Sequence, residues 1–225
     1  AKKMNFKIRI RTAFVTALLV IGLLPLAGFT WFSYERTLAR EFGEVRDRHL
    51  LLAQNLSAAL SRYEKDVRAT VMSVASMLAD SRNNSGTSPM LEAMRIEYVS
   101  IINPSTGRVA AYAKGKVGTR PDVVDPMLLE AARALRVPDQ LKFMPARKGA
   151  SGNHIPVVGK SNGYVVIARI GTGYFQELGK QISFGVKGHA AIVDQAGSVL
   201  AHPLPSWEAA LKNIAKVSAV QRMMN

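Results

Sequence analysis

Cysteine is absent from all 225 residues, which removes disulfide staples, thiolate nucleophiles and cysteine-based zinc sites. That absence leaves the redox compartment open, because a domain of this size can hold a core without staples. Acidic residues are scarce, 16 against 30 basic ones, for a formal charge of +14. GxSxG, Walker-type and HExxH patterns are all missing, so the common hydrolase, nucleotide-binding and zinc-protease signatures have no foothold. Two local absences organise the chain. Residues 12–34, TAFVTALLVIGLLPLAGFTWFSY, carry no charge, and residues 35–80 carry no proline and only one glycine, Gly43.

The uncharged run reaches roughly 34 Å as a helix at about 1.5 Å per residue, enough to cross a hydrocarbon core of about 30 Å. Lys2, Lys3, Lys7, Arg9 and Arg11 precede it without an acidic residue, which places the basic end on the cytoplasmic side and the rest of the chain outside. Phe29, Trp31, Phe32 and Tyr34 gather at the far end, where amphipathic rings favour the interface. A cleaved signal peptide is the rival reading. Leu26-Ala27-Gly28 followed by bulky Phe29, Trp31 and Phe32 makes a poor cleavage site, so a retained anchor is preferred. Pro25 is compatible with a spanning helix. The location expected is the bacterial inner membrane, with the bulk of the chain periplasmic.

Charge is unevenly spread. Residues 1–11 carry five basic residues, residues 35–80 balance seven basic with seven acidic, and residues 81–225 carry 18 basic against 9 acidic. A basic outward domain suits anionic small molecules, envelope polymers or lipid head groups. Nucleic acid is disfavoured by location and by the lack of a recognisable binding motif.

Residues 35–82 predict one long signalling helix. Leu38, Phe42, Val45, Leu52, Leu56, Ala59 and Tyr63 recur in steps of three and four, with His49 in one slot. Consecutive steps of four to Val67 and Val71, before Val74 and Leu78, read as a stutter in a coiled-coil-like seam. The stripe is expected to be shared between a partner helix in a homodimer and the fold that follows. SRNNSGTSP, residues 81–89, reads as a loop. Strands are then expected at 97–102, 108–113, 141–146, 154–160 and 163–170. Asp125 is expected to cap a short helix that starts at Pro126 and runs to about Arg136, with a break at Pro138. A basic loop to Asp122 and a helix at about 173–183 complete the unit. The fold class is α+β, a five-stranded antiparallel sheet with helices on one face.

The chain then begins again. HAAIVDQAGSVLAH, residues 189–202, has the layout of YVSIINPSTGRVAAY, with an apolar strand, Asn103 or Asp194, a short turn, glycine and a second apolar strand. Asp194 is read as the turn residue in preference to a general acid or base. A helix is expected from about Ser206 to Met223, and the second unit then lacks the strands for a full core. Further strands, a second membrane crossing and a cytoplasmic output are expected beyond Asn225.

Residues 188–203, GHAAIVDQAGSVLAHP, resemble the opening of the membrane-proximal module in the double Cache (tandem PAS-like) sensor domains of bacterial transmembrane receptors. Tyr98 to Arg108 is similar to the distal module's first hairpin, and GYVVIARIGTGYFQEL, residues 163–178, to its last strand and exit helix. The resemblance implies a PAS-like distal module over about 90–183, the start of a proximal module at 184–225, and a dimeric sensor with its small ligand in the distal module. The outputs of such receptors include chemotaxis signalling, histidine kinases and diguanylate cyclases. The family's amino-acid-binding subset surrounds its pocket helix with a tyrosine, an arginine and a Trp-Tyr pair. TRPDVVDPMLLEAARALR has neither tryptophan nor tyrosine there, and none of that subset's residues is carried over.

His49, His154, His189 and His202 show no metal-ligand spacing, and neither a metal nor a cofactor is expected. The ligand-binding candidates are Tyr98, Tyr112, Lys142, Arg147, His154 and Tyr164. Arg147 suits a bidentate clamp on a carboxylate or phosphate, with Lys142 as a point charge. The tyrosines suit pocket walls with hydrogen-bonding tips. Surface positions are the alternative for each basic residue, Lys148 included. The expected function is an extracytoplasmic small-molecule sensor, non-enzymatic in the residues present. A membrane-tethered envelope protein with a basic head is the alternative.

Overall fold

A computed structural model describes residues 10–80, 86–115, 124–137, 139–181 and 190–224, apart from the side chains of residues 11, 35, 36, 38–42, 44, 223 and 224. The tail at 1–9, the basic loop to Asp122, the break at Pro138, the last turn of the helix expected to 183, His189, and the seam side chains of Leu38 and Phe42 lie outside the described residues. The chain divides into two compact units, residues 1–54 and 55–225.

Helix α1, Ile10–Ala79, contains the apolar segment Thr12–Tyr34. In the second unit its residues Tyr63, Val67, Val71, Val74 and Leu78 are buried. The three valines are fully sealed, each stabilising the packing by about 1.5–3 kcal/mol. The fold takes this part of the stripe, so the stutter at Val67 and Val71 serves packing on a sheet. Val45 remains exposed in the first unit.

The sheet order is β2-β1-β6-β5-β3, formed by β1 (Ile96–Ile102), β2 (Val109–Lys114), β3 (Leu141–Phe143), β5 (Gly152–Ser161) and β6 (Tyr164–Gly171). A sixth strand, β4 (Arg147–Gly149), pairs with β5 off this path, and every pairing is antiparallel. Residues 141–146 were expected as one strand. The ladder instead breaks at Met144-Pro145-Ala146, because proline has no N–H to give it. Asn162 and Gly163 carry the β5–β6 hairpin with φ of 48° and 79°, the left-handed pair that a tight two-residue turn demands.

Alternation sorts the strands into two faces. Val99, Ile101, Val157, Val166, Ala168 and Ile170 pack with α1 and with Leu91 of α2, Thr87–Ala93. Ile102, Val158, Val165 and Ile167 pack with Leu128 and Ala132 of α3, Pro126–Arg133. Helices therefore cover both faces, contrary to the expectation of one. The near-continuous apolar runs of β1 and β6 are the reason, since both of their faces need cover. Helix α2 also corrects the last three residues, 87–89, of the loop expected at 81–89, of which 81–85 lie outside the described residues. Pro89 sits in its first turn, where a missing N–H costs nothing, and fully buried Leu91 anchors it.

Helix α4, Gly173–Gln181, leads on to the hairpin of β7 (Ile192–Val193) and β8 (Val199–Ala201). Ile192, Leu200 and Ala201 share a core with Ile155, Phe175 and Leu178. The hairpin repeats the plan of the first with a turn one residue shorter. Asn103 Oδ1 accepts from Ser105 and Thr106 N–H, Asp194 Oδ1 from Ala196 and Ser198 N–H, and Gly107 and Gly197 close the turns at φ 68° and 78°. Asp194 is thus the turn residue it was read as. The single helix expected from Ser206 to Met223 is instead two, α5 (Pro205–Ala210) and α6 (Ser218–Met224). Leu211 turns left-handed at φ 48°, and the chain beyond it pairs with the hairpin through Val199 N–H to Lys212 O and Ile214 N–H to Gly197 O. Those strand-like bonds satisfy an open edge that a continuous helix would leave bare.

Candidate functional site

The α3-side face of the sheet is not filled completely. A cavity of about 190 Å³ remains between β1, β5 and β6 on one side and the entry to α3 on the other. Its size is comparable to apolar cavities of about 150 Å³ that hold a benzene-sized guest. Strand register assembles its floor. Tyr98, Arg169 and Pro156 stand opposite one another across three strands, and Arg147 stands opposite His154 at the neighbouring position. Ser100 and Ile167 continue the floor, and Asp125 and Leu128 form the far wall.

Three of the six sequence candidates, Tyr98, Arg147 and His154, meet in this cavity. The other three are not among its lining residues. Tyr112 pairs with Ser100 from the outer strand β2, Lys142 is exposed on β3, and Tyr164 packs at the edge of the α1-side core. Arg169 and the second role of Asp125 escaped the sequence reading. Arg169 was hidden inside the apolar run VVIARI, although its phase with Val165 and Ile167 pointed inward. Asp125 does cap α3, accepting from Met127 N–H at 2.9 Å, and its other oxygen takes a charge-assisted bond from Arg147 Nη1 at 2.5 Å.

Arg169 is the unusual group. Its side chain is 18 % exposed, its Nε lies 3.3 Å from Glu97 Oε2, and that Nε makes no hydrogen bond of good geometry. Nη2 approaches His154 Nδ1 at 2.9 Å. A guanidinium only donates, so Nδ1 is the acceptor and the imidazole proton resides on Nε2. Burial and then the positive charge of Arg169 push His154 down to about 4, so it is neutral near pH 7. Burial pushes the Tyr98 phenol up, partly opposed by Arg169. The Met127 N–H, followed by Arg147, holds Asp125 below the usual carboxylate range. Glu97 reaches Arg169 because β1 bulges between Ile96 and Tyr98, which turns the Glu97 side chain toward β6.

With His154 neutral, two guanidinium groups face one carboxylate in the cavity lining. The walls are otherwise apolar or hydroxylic, and the arrangement can fix one anionic group of a small molecule. Among the described residues, no group of three His, Asp or Glu side chains is placed to hold a metal ion.

The chain folds as an antiparallel sheet between a long N-terminal helix and a short second helix, followed by a second hairpin of similar plan. Solved structures share this fold. The ligand-binding domain of the Pseudomonas aeruginosa PAO1 amino acid chemoreceptor PctC, in complex with GABA, has a TM-score of 0.52 at 17 % identity, over 72 % of this chain and 76 % of that one. The ligand-binding domain of PctB from the same organism, in complex with L-Gln, has a TM-score of 0.52 at 13 % identity, over 75 % of this chain and 72 % of that one. The ligand-binding domain of Mlp24 with asparagine has a TM-score of 0.50 at 12 % identity, over 77 % and 76 %. At these identities the likeness is one of fold. No protein-family model and no curated protein sequence matches the chain.

Proposed function

We propose that this chain is the extracytoplasmic sensing module of a bacterial membrane receptor, and that it takes a small carboxylate-bearing ligand in the cavity beneath α3. The observation that carries the reading is the buried guanidinium of Arg169 at the cavity floor, with Arg147 beside it and His154 uncharged. Such a site rewards an anionic group that brings its own acceptors to the unbonded Nε. The ligand-binding domains that share the fold are in complex with GABA, L-Gln and asparagine, each of which carries a carboxylate. Under this reading Thr12–Tyr34 spans the inner membrane, residues 35–82 are the signalling helix, 90–183 the distal module and 184–225 the start of the proximal one. Two copies pair through α1, and ligand binding shifts that helix to bias a cytoplasmic chemotaxis or two-component output. Shifts of about 1–2 Å are the usual scale for such switches.

The test is isothermal calorimetry on the chain in detergent micelles, with 4-aminobutyrate, L-glutamine, succinate and neutral propanamide. At least one carboxylate is expected to bind, and Arg147→Met to weaken it roughly tenfold or more. Failure of every carboxylate, or indifference to Arg147→Met, refutes the proposal.

A further inference from the structure

The cavity beneath α3 has a charged end and a hydrocarbon end, and the strand ladder sets its direction. Tyr98, Ser100 and Ile102 lie on one face of β1, and opposite them on β6 stand Arg169, Ile167 and Val165. Each step along that face advances ~6.8 Å, two residues at about 3.4 Å each. Arg169 occupies the first rung beside Tyr98, and the paired Arg147 and His154 lie one step further out on β4 and β5. The middle rung is closed on itself, because Ser100 Oγ donates to Ile167 O at 3.0 Å and has no proton left for a ligand. The last rung is hydrocarbon, with Ile102 and Val165 packed against Leu128 of α3. Both guanidinium groups therefore sit at one end.

Negative charge is scarce in the same lining. Asp125 is the one acidic side chain among the described lining residues. Its Oδ1 accepts from Met127 N–H and its Oδ2 from Arg147 Nη1. An ammonium beside a ligand's carboxylate would face two guanidinium groups and no free carboxylate. An ammonium or a second carboxylate at the far end of the ligand would lie against hydrocarbon. Either charge would be taken out of water without a partner, which is the costly case. A site rejects a ligand through such unpaired groups as effectively as it selects one through contacts.

We infer that the cavity selects short-chain aliphatic monocarboxylates, with the carboxylate at Arg169 and Arg147 and the alkyl chain lying along β1 toward Ile102 and Leu128. The inference rests on the proposed carboxylate site and names the class of ligand that it takes. Volume sets the length of the chain. The cavity holds about 190 Å³, butanoate has the heavy-atom count of benzene, and a benzene-sized guest fits a cavity of about 150 Å³. Amino acids and dicarboxylates are weaker ligands on this reading, because each carries a charge that the lining leaves unpaired.

The experiment is calorimetry on the full chain in detergent micelles. Butanoate is compared with 2-aminobutanoate, 4-aminobutyrate and succinate, which keep its carbon skeleton and add one charged group at a chosen end. Butanoate is expected to bind roughly tenfold or more tightly than each of the others, and Arg147→Met to weaken it by a similar factor. Leu128→Gln places an amide donor at the hydrocarbon end and should narrow or reverse the preference over succinate. A Leu128→Gln chain that binds succinate and keeps the native preference counts against the inference. The ranking in the native chain decides independently of that variant's folding. If an amino acid or succinate matches butanoate there and Arg147→Met weakens it, the carboxylate site stands and this inference falls. If none of the ligands binds, or butanoate binding ignores Arg147→Met, both fall.

Discussion

Removing Arg169 tests the centre of the structure. Arg169→Met deletes the guanidinium, keeps most of its aliphatic bulk, and leaves Glu97 with a side chain only 10 % exposed and no opposing charge. Stranding one member of a buried ion pair costs about 3–5 kcal/mol. The lower end applies here, because Nε and Oε2 are 3.3 Å apart without good hydrogen-bond geometry and Ser151 still donates to the carboxylate. A loss of about 3 kcal/mol corresponds to a midpoint shift of about 1.5 M in urea if the slope is about 2 kcal/mol per molar. Unfolding in micelles can be followed by Trp207 fluorescence in a Trp31→Phe background. The companion variant Glu97→Leu should cost a similar amount. The double variant should cost about 1 kcal/mol or less, because replacing both charges with apolar groups removes the desolvation penalty together with the attraction. The double-mutant cycle should then give a coupling well above 2 kcal/mol. Additive single effects, or an Arg169→Met variant within 0.5 kcal/mol of the native chain (roughly the effect of a surface substitution), would refute the pairing as drawn.

Three further outcomes are expected. The His154 pKa of about 4 lies below its unfolded value of 6.5, so the unfolded chain binds more protons between the two. Stability should be full above about pH 6.5 and fall as pH drops toward 4, by at most about 3 kcal/mol, and His154→Phe should flatten that slope in urea midpoints measured across the range. Tyr63 stacks on Tyr174 with ring centres 3.8 Å apart and donates to Met94 O at 2.9 Å. Tyr63→Phe should therefore cost about 1 kcal/mol and Tyr63→Ala about 3–5 kcal/mol in the same assay. Because the chain has no cysteine, single cysteines at Val45 and Leu52 report directly on a partner helix. Both should crosslink under copper-phenanthroline while Asp47→Cys on another face should not, and silence at both seam positions counts against the dimer.

Some of the site was written in local pattern. Asp125 before Pro126 announces the cap that opens α3, and Asn103 and Asp194 announce their turns, because these bonds join residues only a few positions apart. Tyr98, Arg147 and His154 could be named because polar side chains on strands beside a short helix are natural lining. Lys142, Tyr112 and Tyr164 looked the same in the sequence and fell elsewhere. Which strand lies at an edge, and which face a residue turns to, depends on pairings more than 15 residues apart, such as Tyr98 with Arg169. Pro89 and the residues after Leu211 misled for a related reason. Proline reads as a breaker until its place in a first turn is known, and a helical pattern yields when its backbone can complete a sheet edge.

The sequence by itself determined the apolar segment, the long helix, the alternating strands and the two matched hairpins. Each of these follows from periodicity or turn chemistry within a few residues. Only the tertiary structure decided that both sheet faces are covered, that a bulge at Glu97 swings a carboxylate onto Arg169, and that Arg169, Arg147 and His154 meet in one cavity beneath α3. Electrostatics acts through space: Glu97 and Arg169 are far apart along the chain and share one site because β1 and β6 are neighbours in the sheet.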